Sequence, residues 1–337
     1  MTGTTIRLGT RGSRLAVAQS QLVADALEEA TGRSVELVQV VTHGDVSKAS
    51  LAQIGGVGVF ATALRQGLAA GDYDVVVHSC KDLPTAQEQH LDIAAMPERA
   101  DSRDVIVTRG GEGLSGLVQG ARVGTGSTRR QAQLRRARPD VEIVDIRGNI
   151  DSRIGRVYDD LDGVVLAAAG LERLPSAAAH HHEALPVDTW VPAPAQGVLA
   201  VETRRGEGSL VATLDHAPTR LAATLERAVL GGLGSGCAAP VGVHAIVSSD
   251  LRSVELHARV YDLYDAQHDV AVDEVLELGK MLGAGAAHGA RQLSAAGAAD
   301  AAAIEAWTAA EGERVAQQLI AEGAARIIAA ADARRSE

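Results

Sequence analysis

The stretch DVVVHSCKDLPT (74–85) opens with an almost uninterrupted apolar run and is expected to end by exposing His78, Ser79, Lys81 and Asp82 before a turn at Pro84. Such runs are typical of strands in parallel sheets, where crossover helices cover both faces. Upstream, TIRLGT, ending at Thr10, reads as a shorter strand. Ser13 is a suitable N-cap for a helix whose apolar positions are Leu15, Leu22, Val23 and Leu27 and whose stop is Gly32. VELVQVV (35–41) is a second strand, and a polar, glycine-bearing stretch, THGDVSKASLAQIGGVG (42–58), leads into a helix from Phe60 to about Ala70. The order βαβα points to an α/β domain.

Downstream the pattern restarts. PERADSRD (97–104) is a charged, proline-marked crossover, and DVIVTR, RVGT, VEIVDIRG and GVVLAAAG are strand candidates with helices between them. VPAPAQG (191–197) reads as a return linker, since alternating prolines favour extended chain. VLAVETR (198–204) is an apolar strand that would rejoin the first sheet. The expected division is a first lobe of residues 1–98 with 198–216, a second lobe of 102–193 and a smaller C-terminal domain of 219–337. Two lobes joined by two crossovers form a cleft, a favoured ligand site. After HAPTR (216–220) come a helix around LAATLERAVL, a small-residue loop LGGLGSGCAAPVG (230–242) and two β-rich runs, VGVHAIV (241–247) and SVELHARVYD (253–262). The Ala- and Gly-rich segment 276–308 is expected to be helical or loosely ordered surface.

Composition narrows the class. The chain has 337 residues, 46% hydrophobic and 22% charged, and a net charge of −11. That charge argues against general nucleic-acid binding, so an anionic ligand needs a local cluster of cations. No apolar run is long enough to span a bilayer, and the start, MTGTTIRLGTRGS, lacks the apolar core of a secretory signal. Two cysteines, Cys80 and Cys237, argue for a reducing compartment and against a disulfide scaffold.

Chemistry concentrates in four places. VGTGSTRRQAQLRR (123–136) ends a strand in small residues and opens a helix at Ser127. The N–H groups of a helix start, with the hydroxyls of Thr125 and Ser127, make an anion site. Arg129 and Arg130 in the first turn oppose the helix dipole, which hints at a bound anion, whereas Arg135, Arg136 and Arg138 fit a solvated face. DIRGNIDSRIGR (145–156) repeats the arrangement with Arg147 and Arg153. Arg11 and Arg173 add further cations at carboxyl ends of strands, where open α/β sheets bind ligands. Guanidinium groups pair with carboxylates in bidentate fashion, so the implied ligand is a polyanion.

In the third place, Asp82 at a strand end beside Lys81 would stay ionised and stabilise a developing cation. Taken alone, it reads better as an Asp that begins a turn. The fourth is Cys237, with glycines before it and alanines and a proline after it. Such a thiol is either a small buried hydrophobe or a nucleophile activated by electropositive neighbours. No sequence feature assigns it a histidine partner.

RLGTRGSRLA, IGGVGVF, VHSCKDLPT, VGTGSTRRQAQL, IRGNIDSR, AGLERL, PAPAQG and ERAVLGGLGSGCAAPVG follow one another along the chain. In that order they resemble the porphobilinogen deaminase (hydroxymethylbilane synthase) family, from about residue 6 to 262 and weakly again in ERVAQQLIAEGAARIIA (313–329). The resemblance implies two periplasmic-binding-protein-like (type II) α/β lobes plus a smaller α+β C-terminal domain. It implies a cytoplasmic, monomeric transferase of tetrapyrrole (haem) biosynthesis, joining four porphobilinogen molecules head to tail into hydroxymethylbilane with release of ammonia. The acetate and propionate of each pyrrole would account for the arginines. By the same resemblance Cys237 holds a dipyrromethane cofactor through a thioether and Asp82 is the catalytic carboxylate. Ser13, Ser79, Lys81, Thr125, Ser127, Arg129, Arg130 and Arg147 match cofactor-binding positions. Arg11, Arg153, Arg173 and Gln196 match substrate-binding ones, and Phe60 matches a residue that packs over a pyrrole ring. No metal, nucleic acid or membrane partner is implied.

The chain departs from the family pattern in the glycine loop, an expected lid. Gln53, Val57 and Thr62 stand where lysines are common, and Lys48 is a substitute candidate. Cys80 reads as a core-facing residue, Gly234 replaces a commoner acidic residue, and His180, His181 and His182 read as a surface loop. Two alternatives remain open from the residues alone: a two-lobed anion- or solute-binding protein without catalysis, and a thiol hydrolase.

Overall fold

The apolar run that opens 74–85 is the central strand of a five-stranded sheet in the computed structural model, which describes residues 5–40, 59–86, 88–236, 238–265, 268–279 and 298–335. Lys48, Gln53, Val57 and Cys237 therefore lie outside the described residues, as does the expected lid 42–58. By compactness the chain divides into two units, Met1–Arg99 with Val198–Arg220, and Ala100–Gly197 with Leu221–Glu337.

In the first unit, β1 (Ile6–Arg11), β2 (Val35–Val40), β3 (Val75–Ser79), β4 (Leu91–Ala95) and β10 (Leu199–Arg204) are ordered β2-β1-β3-β10-β4. β1 runs parallel to β2 and β3, and β10 is antiparallel to both β3 and β4. VLAVETR thus rejoins the first sheet as expected. Helix α1 (Arg14–Thr31) begins at Ser13, whose hydroxyl accepts from the Ala16 N–H, and stops at Gly32 in the left-handed region at φ 67°. Its Val23, Ala24 and Leu27 cover one face of the sheet with Ile6, Leu8, Val75 and Val77. Helix α2 (Val59–Ala70) covers the other, packing Leu64 and Leu68 on Tyr73, Val76 and Leu91. A strand apolar on both faces is what DVVVHS predicts.

The second unit repeats the plan with β5 (Asp104–Thr108), β6 (Arg122–Gly124), β7 (Glu142–Val144), β8 (Gly163–Ala167) and β9 (His182–Ala184), ordered β7-β6-β8-β5-β9. β6 is parallel to β7 and β8, while β5 is antiparallel to β8 and β9. Two sheets of this shared order make the two lobes of a type II periplasmic-binding-protein-like fold. Short helices follow the parallel strands: α3 (Thr128–Ala137), α4 (Ile150–Gly155), α5 (Ala168–Glu172) and α6 (Pro175–Ala178). The C-terminal part adds α7 (Ala217–Gly232) and a three-stranded antiparallel sheet of β11 (Val241–Val247), β12 (Ser253–Tyr261) and β13 (Asp269–Glu277). α8 (Ala298–Ala321) packs on β13 and α9 (Ala324–Arg335) on β12.

One element is added and one reading changes. β13 is a third strand beside the two β-rich runs: in DVAVDEVLE, Val270 and Val272 are buried while Ala271 and Asp273 face out, the period-two signature of a half-buried strand. VPAPAQG does not run extended to its end. Gln196 N–H donates to Ala193 O at 3.0 Å, and Ala195 and Gly197 take φ of 58° and 88°. Buried Glu226 holds this turn by accepting the N–H groups of Ala195 (2.5 Å) and Ala245 (2.8 Å). An alanine stays left-handed only where its surroundings impose it.

Candidate active site

In the second unit, β6, β7 and β8 point the same way, so their carboxyl ends and the loops after them lie on one edge of the sheet. β5 runs oppositely and therefore starts at that edge, with Asp104 paired to Ala167. Ser127 caps α3, its hydroxyl accepting from the Arg130 N–H at 3.5 Å, and buried Thr125 accepts from the Ser127 N–H at 3.2 Å.

Arg129 and Arg130 turn inward rather than out to solvent. Asp104, 0% exposed, takes Arg129 (2.8 Å) and Trp190 Nε1 (2.9 Å) on one carboxylate oxygen, and Arg130 (2.7 Å) and Gln196 Nε2 (2.8 Å) on the other. Burial alone would raise the Asp104 pKa. The two guanidiniums outweigh it and hold the group far below the usual carboxylate range. The cost read from the helix dipole is thus met by an internal carboxylate, and one positive charge is left over. Arg129 and Arg130 are 3% and 6% exposed, and Arg130 Nε is buried without a hydrogen-bond partner among the described residues.

The other arginines of this unit differ among themselves. Arg147 is exposed after β7 and meets Asp145 only loosely, at 3.9 Å. Arg153 Nε donates to Gly148 O at 2.8 Å, and Gly148 takes φ 110°, which favours glycine. Arg173 donates to Gly197 O at 2.8 Å, and burial draws it below its ordinary pKa against the opposing pull of Glu172.

Helix α3 is also tied to the C-terminal part. The Thr128 hydroxyl donates to Ala238 O at 2.7 Å, Tyr261 OH donates to Gln133 Oε1 at 3.0 Å, and Arg136 pairs with Asp269 at 2.5 Å. Ala132, Tyr261, Leu263 and Ala331 form an apolar cluster there. The residue after Cys237 is therefore held on the first turn of the helix that carries Arg129 and Arg130.

In the first unit, β1 and β3 are parallel, so Arg11, Ser13, Ser79, Lys81 and Asp82 all follow carboxyl ends on one edge. Ser79 exchanges hydrogen bonds with the buried Gln19 amide of α1, at 3.1 and 3.3 Å. Cys80 to Asp82 make a single tight turn: the Cys80 thiol is buried, its N–H donates to Val198 O at 2.9 Å, and Asp82 is exposed. The turn buries the cysteine and offers the carboxylate to solvent. Phe60 lies in the first turn of α2, and its side chain is outside the described residues.

Sequence reading missed the hub residues Asp104 and Trp190, and a buried cluster behind the Asp82 turn. There Glu202 of β10 takes Arg65 of α2 at 2.6 and 3.0 Å and lies 3.2 Å from His78 of β3, which is buried against this carboxylate instead of exposed at the strand end as expected. Burial pushes Glu202 up, but His78 and Arg65 outweigh it and bring it down to about 2. A lone acidic residue within an apolar strand, as in VLAVETR, was the available signal.

The family profile described as porphobilinogen deaminase, dipyromethane cofactor binding domain, matches residues 6–212, and that of the porphobilinogen deaminase C-terminal domain matches 220–286. A porphobilinogen deaminase of Leifsonia xyli subsp. xyli is 53% identical over 264 residues, 76% of this chain and 79% of that protein. One of Mycobacterium bovis is 46% identical over 299 residues, 88% of this chain and 95% of that protein. Among solved structures, the methionine binding protein MetQ aligns with 62% of this chain and 89% of its own, at 12% identity and a TM-score of 0.39.

Proposed function

Because the chain belongs to the porphobilinogen deaminase family, we propose a division of labour among its residues for a reaction that the family sets. The enzyme is a transferase that joins porphobilinogen units with release of ammonia and carries a dipyrromethane cofactor. Cys237 is the attachment point, Asp82 the catalytic carboxylate, and the start of α3 with Arg147 the holder of cofactor carboxylates. Arg11, Arg153 and Arg173 receive substrate carboxylates, with Lys81, Ser13 and Ser79 supporting the cofactor. Phe60 packs over a pyrrole ring. By role the chain divides into 1–98 with 198–216 (Asp82 and the lid), 102–193 (the anion site) and 219–337 (the cofactor cysteine). Two cysteines support a reducing, cytoplasmic setting and the net charge of −11 argues against general nucleic-acid binding; the family resemblance favours a monomer acting on a small-molecule substrate.

One observation carries this reading: Ala238, next to Cys237, sits on the helix turn where two guanidiniums share one carboxylate. The surplus positive charge, the hydroxyls of Thr125 and Ser127 and the Arg130 Nε, without a hydrogen-bond partner among the described residues, fit a carboxylate-bearing group. Gln196 and Arg129 act on that group through Asp104, as positioning residues. When bound, the dipyrromethane supplies the free pyrrole α-position to which the first substrate is joined. Asp82 accepts from pyrrole N–H groups and stabilises the positive charge that develops as ammonia departs. Its exposure on a short turn leaves it accessible to a pyrrole, and the buried Cys80 and the Arg65–Glu202–His78 cluster hold the strand behind it.

Intact-mass measurement of the full chain tests the attachment point. The parent is expected to carry a two-ring pyrrole adduct and Cys237→Ser none. A parent without the adduct, or a Cys237→Ser chain that keeps it, defeats the assignment.

A further inference from the structure

Arg65 uses all three nitrogens of its guanidinium on two carboxylates that lie on either side of the Asp82 turn. Its Nε and Nη2 donate to Glu202 at 3.0 and 2.6 Å, and its Nη1 donates to Glu88 at 3.1 Å. Glu202 belongs to β10, which pairs with β3 from Val76 to Ser79 and then accepts the Cys80 N–H on Val198 O at 2.9 Å. It thus fixes the entry to the turn, with His78 3.2 Å away. Glu88 lies on the segment that leaves the turn, where Arg205 donates to the Glu88 carbonyl at 3.2 Å. Between these two points the chain runs through Cys80, Lys81 and Asp82, and the Leu83 N–H closes on Cys80 O at 3.2 Å. One side chain of α2 therefore clamps both ends of the turn that carries Asp82.

Attachment of the helix does not explain this arrangement. Leu64 and Leu68 already pack α2 on the same face of the sheet, against Tyr73, Val76 and Leu91. Arg65, His78 and Glu202 are 8%, 9% and 2% exposed, and removing charges from water costs free energy that apolar side chains there would not. What the charges add is direction. A planar fork engages a carboxylate in a bidentate pair with one geometry, and that geometry aims its remaining nitrogen.

We propose that Arg65 is a positioning residue for the Asp82 carboxylate, fixing the turn at its entry through Glu202 and at its exit through Glu88. The inference rests on Asp82 being the catalytic carboxylate. The part of Arg65 is to set where Asp82 stands when positive charge develops on the pyrrole.

The test uses the full chain carrying its two-ring adduct, with turnover counted per loaded chain by intact mass. Arg65→Met together with Glu202→Leu replaces the buried pair by apolar side chains of similar volume, an exchange that is often neutral for stability. Its melting temperature and KM should match the parent while kcat falls about tenfold, inside the roughly hundredfold that a misplacement of about 1 Å can cost. Glu88→Gln cuts only the exit arm, at an exposed side chain, and should lower kcat about two- to fivefold, the scale of an ion pair with an exposed partner. In an Asp82→Asn background either change should cost less than about twofold further, because substitutions that act through one residue are not additive. Parental kcat in either variant overturns the proposal. So does a loss that keeps its full size beside Asp82→Asn, and so does a loss that comes only with a lowered melting temperature, which marks a structural role. The underlying reading fails separately, through parental turnover by Asp82→Asn alone.

Discussion

Replacing Asp104 by asparagine tests the hub. The carboxylate accepts from Arg129, Arg130, Trp190 and Gln196 while fully buried. Asparagine keeps one acceptor oxygen, places an amide NH2 against donors, and leaves two guanidiniums without their counter-charge. Breaking one partner of a buried ion pair costs about 3–5 kcal/mol, because the other charge is left uncompensated. For a unit of this size each kcal/mol lowers the melting temperature by about 2–4 °C, so a fall of roughly 6–20 °C is expected. The pH dependence has a definite sign. The folded pKa of Asp104 is depressed, so its stabilisation is complete above the unfolded pKa of about 3.9 and is lost as pH falls towards the folded value. The gap between parent and Asp104→Asn should therefore be constant from about pH 5 to 8 and shrink below about pH 4, by ~1.4 kcal/mol per unit. Denaturant unfolding at several pH values measures both quantities. A variant melting within 2 °C of the parent, by the same scale, would mean that the two arginines do not depend on Asp104.

Arg147, by contrast, is exposed and loosely paired. Arg147→Gln should change stability by less than about 0.5 kcal/mol while slowing adduct formation in the mass assay; unchanged loading removes it from the cofactor site. Asp82→Asn should keep the adduct, since the residue is exposed and away from the cysteine loop in sequence, yet lose on the order of 10²–10³ in turnover. Parental turnover would end its catalytic role.

Local signals carried far in this chain. Ser13, Gly32 and Ser127 mark helix boundaries because caps are chemistry between near neighbours, and DVVVHS announced a strand covered on both faces. The inward turn of Arg129 and Arg130 was hidden. A first-turn arginine looks the same in sequence whether it waits for a ligand or reaches a carboxylate 25 or 26 positions away, and Asp104 sat in a segment that reads as charged crossover. Gln196 was similarly ambiguous: its turn depends on Glu226, and no spacing rule links the two. The proline pattern of 191–197 suggested extended chain, but the buried Glu226 imposed a left-handed alanine. Long-range pairing of polar groups, not propensity, separated the reading from the structure.

β10 lies between β3 and β4 in its sheet, so these strands, neighbours in sequence, never pair with each other. On the ribosome the first lobe must wait for its missing joint. Roughly a hundred residues separate Ala95 from Leu199, and at ~5–20 residues per second the delay is ~5–20 s. The strands β5 to β9 can close their own sheet meanwhile. Until β10 arrives, the flank of VVVHS is an apolar strand edge without its neighbour, the kind of edge that pairs with other chains.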